Sequence, residues 1–263
     1  MTKAGLQSTS KYKTLQIAIV FGYALILVAI GVIHTIPPKP IDLTAPESAF
    51  SSARAMGHVQ RIGLKPHPTG SPENLEVRNY LIGQIKALGY VPEIQSAQAT
   101  NPLKKQTAFI HNVMLKIPGK QSGKALMLVA HYDSVPTGPG AADNVASVAA
   151  ILETLRAINT LPPLRNDLIC LFTDGEEPGL FGAHAFVEQH PWAKHIGIVL
   201  NFEYRGNSGA FLMFETSESN GKLIAGLAKS VAFVISNSLM YEVYKRLPND
   251  TDFSVFKQAG MQG

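Results

Sequence analysis

An α/β fold is predicted, with a mixed, mostly parallel central sheet, helices on both of its faces and one membrane-crossing helix before it. Three features of the sequence lead there. The run from Leu15 to Ile36 contains no Asp, Glu, Lys or Arg. Beyond it, strand-like stretches alternate with stretches of helical periodicity, the order expected of an α/β sheet. Several strand-like stretches are apolar throughout instead of alternating, as strands covered on both faces are.

The first element is the apolar run. At about 1.5 Å per residue, a helix over 15–36 covers roughly 30 Å, the hydrocarbon thickness of a bilayer. The sequence Ile36-Pro37-Pro38-Lys39-Pro40 that follows lacks the small-residue cleavage site of a removable leader. Lys3, Lys11 and Lys13 precede the run, and only Lys39 follows closely, with Asp42 and Glu47 beyond it. By the positive-inside rule residues 1–14 form a cytoplasmic tail and 15–36 a single-pass signal anchor in the lipid bilayer. The remainder is then lumenal, periplasmic or extracellular, with a linker over 37–48 and one domain over 49–263.

Within that domain, Glu47 to Leu64 and Pro72 to Leu88 read as amphipathic helices, the second opening after Pro68-Thr69-Gly70-Ser71. Strands are expected over Ala108 to Ile117, Ala125 to Ala130, Asp167 to Thr173 and Ile196 to Phe202. Helices are expected over Asn144 to Ile158 and Gly179 to Gln189. Cys170, the single cysteine, falls inside an apolar strand, so no internal disulfide can form. The net charge of +4 comes partly from the N-terminal lysines and is not concentrated in basic clusters, which argues against a nucleic-acid partner.

Polar residues sit where the apolar strands end. Leu128-Val129-Ala130 runs into His131 and Asp133; Leu171-Phe172-Thr173 runs into Asp174, Glu176 and Glu177; Val199 to Phe202 runs into Glu203. A glycine-rich loop presents Asp143 just before a helix. In open α/β sheets chemistry collects at this carboxyl edge. Carboxylates crowded there repel one another unless cations sit among them. Zinc suits a mixed oxygen and nitrogen donor set, and two ions sharing a carboxylate would account for so many acids.

The segments His131-Tyr132-Asp133-Ser134, Gly140-Ala141-Ala142-Asp143-Asn144, Asp174 to Ala183 and Asn201-Phe202-Glu203 resemble, in order and spacing, the metal motifs of the M28 family of zinc metallopeptidases. The resemblance covers roughly Phe50 to the end. It implies a zinc-exopeptidase-like fold and zinc-dependent hydrolysis of a peptide substrate, most specifically as an aminopeptidase using two zinc ions. By the same resemblance His131 and Glu203 hold the first zinc, Asp143 bridges both ions and Glu177 holds the second. Glu176 is the general base, and Asp133 orients the His131 ring.

Two departures from the family pattern stand out. Glu203 occupies a position where many members carry Asp. The family's last ligand is a histidine well beyond the acidic ligands, whereas no histidine follows His195. The segment Asn249 to Phe253 resembles the stretch before that histidine, so the expectation is a chain incomplete at its C-terminus. His184, His190 and His195 are expected to be structural or surface residues. Two other functions share the scaffold: a glutaminyl-cyclase-like transferase, and a non-catalytic receptor-type domain.

Overall fold

The long apolar run does form a helix, α1 (Lys3–His34), and none of its stretch Tyr12–His34 is buried by protein. The computed structural model describes residues 3–34, 36–121, 123–204, 206, 209, 211–231 and 235–263. Among them α1 is the one helix long and apolar enough to cross a membrane. Thr35, inside the expected span, lies outside the described residues.

The domain begins with α2 (Ser52–Ile62) and α3 (Pro72–Ala87). The expected start of α2 at Glu47 moves to Ser52, because Ser51 adopts extended backbone and its hydroxyl accepts from the Arg54 amide at 3.2 Å. The residues before it are not a free linker: from Ile41 onward they bond to the domain. Arg54 donates to the carbonyls of Leu43, Ala45, Pro46 and Ala49, and Arg156 to those of Glu47 and Ala49. Both guanidinium groups are held by Glu153, at 3.0 Å and 2.7 Å, whose carboxylate is buried and also accepts from the Ser51 amide.

Next come β1 (Glu93–Asn101), β2 (Gln106–Ile117), β3 (Ala125–His131), α4 (Ala146–Ile158) and β4 (Leu168–Thr173). Two short helices, α5 (Glu176–Gly179) and α6 (Phe181–Gln189), replace the single helix expected from Gly179. They are separated by Leu180 in the left-handed region at φ 56°. Then β5 (Ile196–Asn201) completes the sheet. Beyond Phe202, where pattern alone assigns no element, lie β6 (Leu212–Met213), α7 (Gly221–Ser230), β7 (Ile235–Ser236), α8 (Ser238–Tyr244) and α9 (Asp252–Gln258).

The sheet order is β1-β2-β4-β3-β5. β3 pairs in parallel with β4 and β5, whereas β2 is antiparallel to both β1 and β4, so β2 alone runs against the other four strands. Strand side chains alternate between two cores. Val113, Leu128, Ala130, Cys170 and Phe172 pack under α2, α3 and α4, while Met114, Met127, Val129, Ile169 and Leu171 pack against Phe186 of α6 and Phe253 and Phe256 of α9. Both faces are thereby covered, which is why β4 is apolar at nearly every position and why Cys170 is fully buried.

β1 escapes pattern reading because its inward residues are small or polar: Ala97, Ala99 and Asn101. α6 comes close enough to the sheet that a Cβ at Gly182 would lie 2.5 Å from the Asn112 side chain and 2.7 Å from the Asp174 carbonyl. That contact sets α6, and the turn before it, against the ends of β2 and β4.

Glu153→Ala strands two guanidinium groups that reach solvent only in part. The expected loss is roughly 2–3 kcal/mol, somewhat below that for a fully buried ion pair, and the shift of the urea unfolding midpoint measures it.

Candidate metal centre

β3 ends in His131, whose ring is 1% exposed. Its Nδ1 lies 3.0 Å from the Asp133 carbonyl oxygen and 3.5 Å from Asp133 Oδ1, so a proton on Nδ1 is satisfied there. Nε2 is left facing three carboxylates: Asp143 Oδ1 at 3.1 Å, Glu203 Oε2 at 3.6 Å and Glu176 Oε2 at 4.0 Å. A histidine fixed through one nitrogen with the other aimed at acids is the arrangement in which the free nitrogen ligates a cation.

Backbone placement of the acids follows from local sequence. Gly140, at φ 63°, opens the turn that carries Asp143, and a Cβ there would meet the Asp143 carbonyl at 2.8 Å and Ser134 Cβ at 2.9 Å. The Asp143–Asn144 peptide is cis. Asn144 Nδ2 donates to the Phe202 carbonyl at 2.7 Å, drawing this turn to the end of β5 and bringing Asp143 beside Glu203. One donor atom each from His131, Asp143 and Glu203 lies within 4.8 Å of the others.

Glu176 and Glu177 open α5, and their position is set from below. The fully buried Asp133 carboxylate accepts from the Glu176 amide at 3.1 Å, from the Glu177 amide at 3.2 Å and from the Thr69 hydroxyl at 3.3 Å. The structure thus brings His131, Asp143, Glu203 and the Glu176 carboxylate together, with Asp133 beneath them. Glu177 is half-buried at the rim and is not part of the three-residue cluster.

Crowding is visible in the ionisation of these groups. Burial raises Glu176 well above the ordinary carboxylate range, against the pull of His131, and repulsion from Glu203, Asp252 and Asp133 adds to it. Glu177 is pushed up to about 6, chiefly by burial. For His131 burial acts downward, but Glu176, Glu203, Asp133 and Asp143 outweigh it and hold the imidazole well above its usual value. Asp133, although buried, is held below its usual value by His131 and by the two amides.

Three polar residues here received no role from the sequence, although Asp174 was placed at a strand end and Asp252 within Asn249 to Phe253. Asp252, at the start of α9, is fully buried; Thr173 donates to its Oδ2 at 2.5 Å, and its Oδ1 has no partner. Its carboxyl is raised to about 7 by burial, with Glu203 and Asp133 adding to the effect. Asp174 accepts from the His111 amide, Thr69 and Asn74, and burial raises it to about 6. Thr69 stands between Asp133 and Asp174. The available signal was an acid directly after a threonine at an otherwise apolar helix start, and it gains meaning only once α9 is seen packed under β4 and β5. His190 bonds Glu93 at 2.9 Å and accepts from the Trp192 amide, and neither it nor His184 joins the cluster.

The sequence pattern of Peptidase family M28 matches residues 112–263. Among similar proteins, endoplasmic reticulum metallopeptidase 1 of Homo sapiens is 28% identical over 91% of this chain and 29% of its own length. The vacuolar membrane protease of Candida albicans (strain SC5314 / ATCC MYA-2876) is 32% identical over 78% of this chain and 24% of its own. The chain therefore spans about a quarter to three-tenths of the length of these curated relatives. Two solved structures share the fold. Porphyromonas gingivalis glutaminyl cyclase has a TM-score of 0.65 at 22% identity, covering 81% of each chain. The aminopeptidase from Aneurinibacillus sp. strain AM-1 has a TM-score of 0.63 at 14% identity, covering 81% of this chain and 84% of its own.

The electrostatics give a signed expectation for protein stripped of divalent cations by a chelator. Asp252 binds its proton more tightly folded, with a value of about 7, than unfolded, near 3.8, so its contribution is complete below the lower value and disappears as pH rises to the upper one. His131, raised on folding, loses its contribution in the same direction, above its unfolded value of 6.5. Stability of the stripped protein should fall between pH 5 and pH 8 by on the order of 1–4 kcal/mol, and added divalent cation should restore it at the upper end. Thermal melts across that range, with and without cation, measure both effects.

Proposed function

The chain belongs to peptidase family M28, and on that premise we propose that it is the catalytic part of a membrane-anchored, zinc-dependent exopeptidase that removes N-terminal residues from peptides. The observation that carries the reading is the convergence of His131, Asp143 and Glu203 within 4.8 Å beside the Glu176 carboxylate. One imidazole and two carboxylates, with the imidazole's other nitrogen already bonded, are a donor set that fits zinc.

In this reading His131 and Glu203 would hold one zinc ion, Asp143 would serve both ions, and Glu177 would hold the second. Bound zinc would supply Lewis acidity toward the scissile carbonyl and toward the attacking water. Glu176 takes the proton from that water and returns it to the leaving amine. A carboxyl lifted above its ordinary range is suited to this exchange near neutral pH. Asp133 keeps the base in place by holding the amides of both glutamates, and it keeps the Nδ1 proton of His131 satisfied so that Nε2 faces the cluster. Glu177 and Asp143, at the more open side, face the substrate's approach.

The anchor reading supplies the cellular geometry: residues 1–14 on the cytoplasmic side, the apolar helix in the bilayer and the domain over 49–263 on the opposite side. It rests on the length and apolarity of α1 and on the lysine bias around it.

The test is made on the whole protein. Metal content should be two zinc ions per domain, and N-terminal amino acids should be released from unblocked peptides. Glu176→Gln should retain the zinc and lower kcat by at least about a thousandfold, in keeping with loss of a general base together with its charge, whereas His131→Ala should lose zinc as well. Cyclised N-terminal glutamine as the product would place the protein with the cyclase activity instead. Undiminished turnover in Glu176→Gln would refute the assigned base.

A further inference from the structure

We propose that the segment from Ile36 to Leu43 is a lipid-contacting collar, pressed onto the headgroup layer of the membrane in which α1 is anchored, so that the domain is held at a fixed stand-off from the bilayer. The proposal rests on the reading of α1 as a membrane span.

The first argument is length. Six residues, 35–40, separate His34 at the end of α1 from Ile41. Even fully extended, the seven steps from His34 to Ile41 reach at most about 25 Å, and the run Pro37-Pro38-Lys39-Pro40 is stiff. Ile41 therefore cannot lie far from the membrane boundary.

The second argument is that Ile41 is already domain. Its amide donates to Ser52 Oγ at 2.7 Å, and its carbonyl accepts from the Ala53 amide at 3.1 Å and from Ser52 Oγ at 3.0 Å. Ser51 Oγ donates to the Asp42 carbonyl at 2.6 Å, and Arg54 to the Leu43 carbonyl at 3.1 Å. With Arg54 fixed by buried Glu153, residues 41–43 are bonded to the domain and cannot act as a loose tether.

The third argument is what this bonded segment presents. Ile36, Ile41 and Leu43 are 62%, 49% and 66% exposed. Three large apolar side chains exposed within eight residues, interleaved with prolines, are poorly suited to water. The charges here are only Lys39 and Asp42, and Asp42 is engaged by the amide and hydroxyl of Thr44. Contact with lipid would accordingly be apolar and independent of anionic headgroups, unlike a polybasic surface.

Single cysteines carrying a nitroxide label, at Leu25→Cys, Leu43→Cys and Val91→Cys, test this in full-length protein reconstituted into phosphatidylcholine vesicles. Cys170 is fully buried and stays unlabelled, and Val91, 85% exposed between α3 and β1, serves as the exposed reference on the domain. Power-saturation EPR with oxygen and a water-soluble nickel chelate reads the depth of each label. The expected result is a label at 25 in the hydrocarbon, a label at 43 with nickel accessibility several-fold below that at 91, and no change when phosphatidylserine is added. A label at 43 as open to nickel as the one at 91 overturns the collar while leaving the anchor standing, and so does a depth that appears only with anionic lipid. Open access at 25 would show instead that the membrane reading itself fails.

Discussion

A single buried carboxylate organises the centre. Asp133 sits two residues past the end of β3 and receives hydrogen bonds from the amides of Glu176 and Glu177 and from Thr69. Those donors belong to two parts of the chain, the loop before α3 and the start of α5, and Asp133 ties both to the end of β3. Ionised, Asp133 satisfies all three donors at once; its removal would leave two amides after the left-handed Gly175 without acceptors in the protein interior. The neighbouring acids can be crowded because this one is stabilised by donors and so stays charged at low cost.

Asp252, Glu176 and Glu177 are less well supplied with donors than Asp133. Asp252, Glu176 and Glu177 are raised, and Asp252 keeps an oxygen with no partner. A buried polar atom left unpaired normally marks strain or a place for something charged. The domain thus separates two uses of the same chemistry, one carboxylate spent on architecture and several kept under mutual repulsion at the edge where a cation would relieve it.

Much of this was readable in the residues, for identifiable reasons. β3 and β4 are continuous apolar runs because α2, α3 and α4 cover one face and α6 and α9 the other, and burial on two sides leaves a strong mark; β5 is covered on one face only, and its Ile198 and Leu200 stay exposed. Their polar endings were equally plain, so His131, Asp133, Asp143, Glu176 and Glu203 were legible as one group. β1 was not, since its stability comes from pairing with β2 and from bonds such as Gln95 to the Ala185 carbonyl, neither of which writes a periodicity. The role of Asp252 was hidden for a similar reason: its place after Thr251 at a helix start is a weak local mark, and its environment is made by residues about 50 to 120 positions earlier in the chain. The break at Leu180 was invisible too, because a leucine in the left-handed region carries no mark in the sequence.

Gly182 carries a consequence for how natural variants of such a chain are interpreted. The space beside its Cα is already filled by the Asn112 side chain and the Asp174 backbone, so any heavier residue there would push α6 off the sheet and drag the two glutamates with it. An allele of that kind would keep every acid and the histidine in its sequence and still be silent. A survey that scores inheritance by ligand positions alone would class it as healthy.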